Sequence, residues 1–405
     1  MPTLSRALYG LLLMSAGAVA AYSVVTVDVQ RLWRAAKPPV VDVVTPAKTP
    51  VVQAVHTAEA GLDAERKPAS VDAFAWEREL QSALPEIIPP GVTIGLYVED
   101  PKTGATFSHL ADRPMYLASG IKLLFLVEAH RQLHTGELEL DETVRYGWRD
   151  VRDGAPSMNR QKVGSRLRVD ELLTFMIRDS DNAASDLLFE KLGKDNILKT
   201  LVAEEVRPAA DVVNLVHIRH EVYATLDKRA RQLKAWQVRD VRWRDGHHPR
   251  LDLLQKHIGR PYGDYDERDL EAAYDAYYET QANHFAMRDV GRLLSRMTRG
   301  EVVSTEASAA MLQQLGSVWN SGHRIDGLVD EKWVMHKTGT QRRRICDLAV
   351  IELSDGHPLV VTIAVAGPRH EAAEAVLRDV VQEVLELERS ERQQRGQHVN
   401  WAAVQ

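Results

Sequence analysis

The sequence predicts an α+β fold, an α/β/α sandwich: an antiparallel sheet made of strands from both ends of the domain, packed by helices, with a large helical subdomain between the two strand groups. Three observations predict it. Apolar and polar residues alternate at Val92-Thr93-Ile94-Gly95-Leu96-Tyr97-Val98 and again from Ala105 to Leu110, on either side of the turn Asp100-Pro101-Lys102-Thr103-Gly104. Strand-like runs return at Trp333–Lys337, Ile345–Leu353 and Leu359–Ala366, the last two joined by the turn Ser354-Asp355-Gly356. Between these groups, from Ser119 to about Met311, the chain is mostly helical in pattern. Strands that are neighbours in sequence and helices with one apolar face can bury those faces only against each other.

In chain order, Ala7–Val27 carries no charged side chain and is long enough to cross a hydrocarbon core. Arg6 precedes it, Asp28, Arg31 and Arg34 follow, and Ala18-Val19-Ala20 resembles a small-residue cleavage site. Residues 1–34 therefore read as a signal peptide or an N-terminal membrane anchor, with cleavage and retention both open. Export to the periplasm or cell envelope is expected, with membrane contact only through this segment. Residues 35–70 are a linker interrupted by Pro38, Pro39, Pro46, Pro50 and Pro68. The folded domain is expected over 71–390, opening with a helix from Val71 to Leu84 that Pro85 ends. It closes with a helix from about Glu371 to Leu387, where Ala372, Val376, Val380 and Leu385 recur at helical spacing, and 391–405 is a polar tail.

Composition narrows the function classes. With 44% hydrophobic and 27% charged residues the chain is globular in type, and a net charge of −6 gives no reason to expect nucleic acid as a partner. Cys346 is the single cysteine, so no intrachain disulfide and no cysteine-based zinc site can form; in the apolar run around Leu348-Ala349-Val350-Ile351 it reads as a buried small residue. No cofactor and no metal are expected, since the adjacent His247 and His248 lack zinc-ligand spacing.

Chemistry enters at Ser119-Gly120-Ile121-Lys122, which opens the apolar run Leu123–Val127 and so occupies the first turn of a buried helix. Three residues apart, Ser119 and Lys122 lie on one face. A serine hydroxyl becomes a nucleophile when a neighbour removes its proton, and a buried lysine sheds its own proton readily enough to serve as that base. The helix N-terminus adds backbone N–H groups for a developing oxyanion. Such a pair arises by chance about once in a chain of this length, so alone it means little. Two further motifs in fitting contexts change the weight: Ser180-Asp181-Asn182 after the apolar helix Leu172–Ile177, and His336-Lys337-Thr338-Gly339-Thr340 at a strand end. A lysine and a hydroxyl at a strand end suit an anionic substrate, and Asp181 reads as orienting its loop rather than reacting.

This Ser-x-x-Lys, Ser-Asp-Asn and Lys-Thr-Gly set resembles the class A β-lactamases and penicillin-binding proteins, over roughly Val71 to Leu387. The resemblance implies the fold of that family and a role for each matching residue. Ser119 is then the acylated nucleophile and Lys122 its base, while Ser180 relays a proton to the leaving amine. Asn182 holds the substrate amide, Lys337 and Thr338 bind its carboxylate, and the N–H groups of Ser119 and Thr340 form the oxyanion hole. Gly339 lets the substrate lie against the strand edge. β-Lactamases of this class also use a carboxylate that activates water to release the acyl group. The candidate is Glu221, in Arg219-His220-Glu221-Val222-Tyr223-Ala224-Thr225, where Thr225 stands in place of an expected asparagine; a solvated helix charge is its alternative. The stretch from Ser180 to Lys337 is longer than the family's, and the excess falls at about 227–281 as an insertion that either reshapes the substrate mouth, supplies a partner surface or is a helical decoration. One of Arg342, Arg343 and Arg344 is expected to face the cleft if it helps to hold a carboxylate. Three functions follow: a β-lactam hydrolase, a D-alanyl peptidase or other cell-wall acyl-serine enzyme that releases its acyl group slowly, and a non-catalytic binding module. The expected partner is accordingly a small β-lactam or a peptidoglycan peptide.

Overall fold

The structure, a computed structural model, describes residues 73–242, 247–318, 324–329, 333–353 and 356–396. The expected leader at 1–34, the linker, the turn residues Ser354 and Asp355 and the last part of the tail lie outside the described residues, as do the side chains of His247 and His248.

Helix α1 (Glu77–Ile87) leads into β1 (Thr93–Glu99), β2 (Thr106–His109) and the short β3 (Pro114–Tyr116). A 3-10 turn at Ala118–Gly120 then opens α2 (Ile121–Thr135). The helical subdomain follows: β4 (Thr143–Arg145), β5 (Arg166–Arg168), α3 (Val169–Arg178), α4 (Asn182–Leu192), α5 (Lys194–Ala203) and α6 (Leu215–Leu226). The 227–281 segment supplies α7 (Ala235–Arg242), α8 (His247–Ile258) and α9 (Glu267–Tyr278). After β6 (His284–Ala286) come α10 (Met287–Thr298) and α11 (Thr305–Leu315), then β7 (Val334–Gln341), β8 (Arg344–Glu352), β9 (Pro358–Ala366) and α12 (His370–Gln394).

The main sheet is antiparallel throughout, in the order β2-β1-β9-β8-β7, so strands from both ends of the domain pair at β1–β9 and β7 is an edge. Alternation assigns its two faces. Ile94, Leu96 and Val98 with Leu359, Val361, Ile363 and Val365 face α1 and α12, and join Leu80, Leu84, Val380 and Val384 in one core. The opposite face meets α10, which comes so close that a Cβ on Gly291 would lie 2.2 Å from the Tyr97 ring. Glu99 is buried there, accepting hydrogen bonds from Tyr97 and Ser295.

Three expectations need correction. Pro85 does not stop α1, which runs on to Ile87: near a helix C-terminus the carbonyl that proline leaves without a donor belongs to exposed Gln81, where water serves it. The last helix continues past Leu387 to Gln394 because buried Glu388 and Arg392 pair with each other, and Glu388 also accepts from Trp76 Nε1 at 2.9 Å. The short strands β3, just before the helical stretch, and β4 to β6 inside it, three residues each, are too brief to show alternation.

Candidate active site

The site forms where the first turn before α2, the α3–α4 connection and the edge strand β7 meet. Ser119 lies in the 3-10 turn, behind Ala118, whose φ of 46° is a left-handed conformation costly to a residue with a Cβ. The turn is pinned from three sides: Leu117 N–H donates to Asn283 O at 3.1 Å, Leu117 O accepts from Gly120 N–H at 2.8 Å, and Cys346 Sγ donates to the same oxygen at 3.1 Å. Cys346 is thus the buried packing residue expected, and burial pushes its thiol up to about 12.

Lys122 is fully buried, and its Nζ has four neighbours: Ser180 O at 2.5 Å, Asn182 Oδ1 at 2.7 Å, Ser119 Oγ at 3.2 Å and Ser180 Oγ at 3.3 Å. A neutral amine has two hydrogens and one lone pair. The two shortest contacts are to oxygens that can only accept, so they take the hydrogens and leave the lone pair for a serine O–H. Burial first, then the charge of Lys337, holds the Lys122 ammonium well below the usual lysine range. The arrangement favours loss of the Lys122 proton and places that amine beside a hydroxyl.

Ser180 adopts φ 51°, a strained conformation that turns its carbonyl to Lys122 and its hydroxyl to Lys337 Nζ, 3.0 Å away. Asp181 accepts from four backbone N–H groups, Ala183 and Ala184 at 2.9 Å, Ser157 at 3.0 Å and Met158 at 2.8 Å, so it caps α4 and anchors the facing loop as a positioning residue. Asn182 donates from Nδ2 to Asp153 O at 2.8 Å. Lys337 is fully buried, and burial lowers its ammonium to about 8. Thr338 and Thr340 share the other face of β7 with His336, which is paired with Asp347 at 2.9 Å; burial opposes the imidazolium, but the Asp347 charge prevails and raises His336.

Gly339 has a packing reason that the sequence did not show: a Cβ there would sit 2.0 Å from Leu117 O, 2.7 Å from Cys346 Sγ and 2.9 Å from Gly120 N, so the glycine lets β7 touch the nucleophile turn.

The structure does not bring Glu221 into this cluster. Residues two apart on a helix point about 200° apart, and it is Arg219 that α6 turns inward, pairing with Asp153 at 2.9 Å and donating to Gln341 Oε1 at 3.2 Å. Glu221 is held by Arg231 at 2.7 and 2.9 Å, which keeps its carboxyl below the usual range. Among the described residues no carboxylate hydrogen-bonds to Ser119 or Lys122. The three adjacent arginines are neither simply solvated nor paired in the Ser119 cluster: Arg342 is forked by Glu267 and Glu271, Arg343 donates to Gly367 O and pairs with Asp275, and Arg344 stacks over Tyr278. They tie the hairpin to α9.

Sequence reasoning missed Arg324. Its buried guanidinium donates to Thr340 Oγ1 at 2.6 Å, Gly339 O at 3.1 Å and Cys346 O at 3.0 Å, locking the end of β7 onto β8. Nothing in its local sequence distinguishes it from a surface arginine; only the fold reveals its partners.

Comparison with known proteins agrees with the geometry. The pattern of the beta-lactamase enzyme family matches residues 77–387. Beta-lactamase ROB-1 of Haemophilus influenzae is 33% identical over 100 residues, which is 25% of this chain and 32% of that protein. The carbapenem-hydrolyzing beta-lactamase KPC of Klebsiella oxytoca is 34% identical over 105 residues, 25% of this chain and 35% of that protein. The chain thus spans about a third of the length of the curated relatives it matches. Among solved structures, a beta-lactamase from Sphaerobacter thermophilus superposes with a TM-score of 0.57 at 20% identity over 77% of this chain and 97% of that one. PBP-A superposes with a TM-score of 0.58 at 16% identity over 79% and 98%. At these identities the structures speak for the fold.

Proposed function

The chain belongs to the beta-lactamase enzyme family, and from that premise we propose that it is a serine hydrolase that opens β-lactam rings through an acyl-enzyme on Ser119. The observation that carries this reading is the buried Lys122 Nζ 3.2 Å from Ser119 Oγ, where burial disfavours its ammonium form and Ser180 O and Asn182 Oδ1 take up its other contacts. Lys122 takes the Ser119 proton as Oγ attacks the ring carbonyl, and the oxyanion forms against the N–H groups of Ser119 and Thr340. As the carbon–nitrogen bond breaks, Ser180, 3.3 Å from Lys122 and 3.0 Å from Lys337, passes a proton to the ring nitrogen. Lys337 holds the substrate carboxylate at the edge of β7, with Thr338 beside it on the adjoining face, and Asn182 holds its amide. Water then takes the acyl group from Ser119. The apolar segment at 7–27 favours action outside the cytoplasm.

A second reading rests on Glu221. With that carboxylate committed to Arg231, acylation is built in and hydrolysis is not, as in an acyl-serine enzyme of the penicillin-binding type that releases its acyl group slowly. Intact mass of the chain during incubation with a penicillin, together with substrate loss, separates the two. Many turnovers without a lasting adduct establish the hydrolase. A stable single adduct, absent in Ser119→Ala, establishes the slow-release enzyme. Absence of both turnover and adduct refutes acylation by β-lactams altogether.

A further inference from the structure

Away from Ser119, a cavity of about 830 Å³ lies between the β4–β5 loop, α6 and the start of the 227–281 segment. Two of the five large apolar side chains that the described residues leave exposed line it: Trp148, 67% exposed, and Trp236, 37% exposed. Trp148 leaves most of its indole in water and Trp236 over a third, apolar area that burial against a ligand would gain. Trp236 is steadied by an edge contact with His257, centroids 5.6 Å apart and planes at 88°. The other lining side chains supply positive charge: Arg149, Arg152, Lys234 and Arg239, with no carboxylate in the wall. Arg152 forms a built floor, nine-tenths buried and fixed by Asp186 at 2.6 Å, itself held by the N–H groups of Leu215 and Val216. Asp240 pairs with Arg239 from outside the wall. Arg149 and Lys234 have no carboxylate partner among the described residues, so two positive charges face the cavity without a counterion.

From this we infer that the cavity is a second binding site, separate from the Ser119 chemistry, for an acidic oligosaccharide. Flat aromatic faces in water suit a ligand with alternating apolar C–H faces and hydroxyl rims, the form of a pyranose ring, and cations around them suit carboxylates on the rings. A neutral sugar leaves the two cations Arg149 and Lys234 unused, and a small anion leaves the exposed indole surface in water. A concave wall also favours a discrete ligand over a flat membrane surface. The site lets the enzyme hold an acidic polysaccharide while Ser119 works on a group attached to it or nearby.

The test uses the whole chain and two probes of equal length, a tetrasaccharide of alternating N-acetylglucosamine and N-acetylmuramic acid and its uncharged counterpart chitotetraose, with binding followed by calorimetry and tryptophan fluorescence. The acidic tetramer should bind at least about tenfold more tightly than the neutral one, with the gap closing in high salt. Trp148→Ala and Trp236→Ala should each weaken it at least about fivefold, and Arg149→Gln with Lys234→Gln should remove the preference for the acidic probe. Acylation of Ser119 should be unchanged in all these variants, which verifies their fold. Four results overturn the inference: no saturable binding of the acidic tetramer up to about 1 mM, affinity unaffected by either tryptophan substitution, equal affinity for the two tetramers, or binding to phosphatidylglycerol vesicles but not to the tetramer, which would make the patch a membrane contact.

Discussion

Gly339→Ala is the sharpest probe of how the site is assembled. The added Cβ meets a backbone carbonyl at 2.0 Å, a sulfur at 2.7 Å and a backbone nitrogen at 2.9 Å. An ordinary carbon–oxygen contact is about 3.3 Å or more, so β7 and the nucleophile turn must separate by on the order of 1 Å. The sulfur can be trimmed away, but Leu117 O and Gly120 N belong to the backbone that presents Ser119. Separation on that scale costs about a hundredfold in a positioned reaction, and overpacking a well-filled site costs about 1–3 kcal/mol. Acylation by a penicillin, timed by intact mass, should therefore fall about a hundredfold, while the melting temperature drops by only a few degrees. Adding Cys346→Ala should not restore the rate, because the carbonyl contact remains. A rate within about threefold of the parent would refute the account of Gly339 as the hinge between β7 and the nucleophile, and recovery with Cys346→Ala would show that the sulfur alone matters.

Other consequences are equally direct. Acylation by a substrate bearing a carboxylate should decline as pH rises through about 8, where folded Lys337 loses its charge; a rate still flat at about pH 9.5, more than a unit above that pKa, would contradict this. Because the folded protein binds fewer protons than the unfolded chain above that point, Lys337 makes stability rise with pH from about 8 to about 10.4, where unfolded lysine also deprotonates, and chemical denaturation across that window reads the sign. Glu221→Gln should change acylation and acyl release by less than about threefold, since its carboxylate serves Arg231 on a surface helix; release slowed by about a hundredfold would reinstate it as the base. Arg324→Lys should destabilise the fold by about 2–4 kcal/mol, because one ammonium cannot reproduce a fork that serves Thr340, Gly339 and Cys346 together, and an unchanged denaturation midpoint would remove Arg324 from the assembly of β7.

The parts of the site that could be read before the fold are those whose chemistry is local. Ser119 and Lys122 share a helix turn, Ser180 to Asn182 form one bend, and Lys337 to Thr340 follow one strand, so each motif carries its own geometry in the order of its residues. The sheet was legible for the same reason: β1, β8 and β9 are seven to nine residues long, and β8 and β9 are near-continuous apolar runs buried on both faces between turn residues. What remained hidden depends on which side of an element faces inward. Glu221 and Arg219 differ by two positions on α6, and a one-dimensional pattern does not say which of them meets Asp153. The glycine in Lys-Thr-Gly was visible, but its reason was not, since Leu117 and Gly339 are far apart in sequence and meet only when β7 lies against the nucleophile turn. Arg324 was invisible because three of its four partners are backbone carbonyls or a side chain on strands that come later in the chain.

That Lys122 is pushed toward its neutral form among carboxylates needs explaining, because Asp181, Asp186 and Asp153 all act to restore its proton. Each of them is occupied elsewhere. Asp181 receives four backbone N–H groups, Asp186 receives Arg152 and two backbone N–H groups, and Asp153 receives Arg219. Lys337 adds a positive charge on the far side of Ser180, which pushes in the same direction as burial. Arg152 and Arg219 hold Asp186 and Asp153 in place, while burial and the Lys337 charge outweigh the pull of the three carboxylates on the Lys122 proton. The same two arginines point to different neighbours beyond the site, Arg152 into the tryptophan-lined cavity and Arg219 toward the end of β7. The proton affinity of the base is thus set first by its burial and then by Lys337, which meets the chemistry through Ser180.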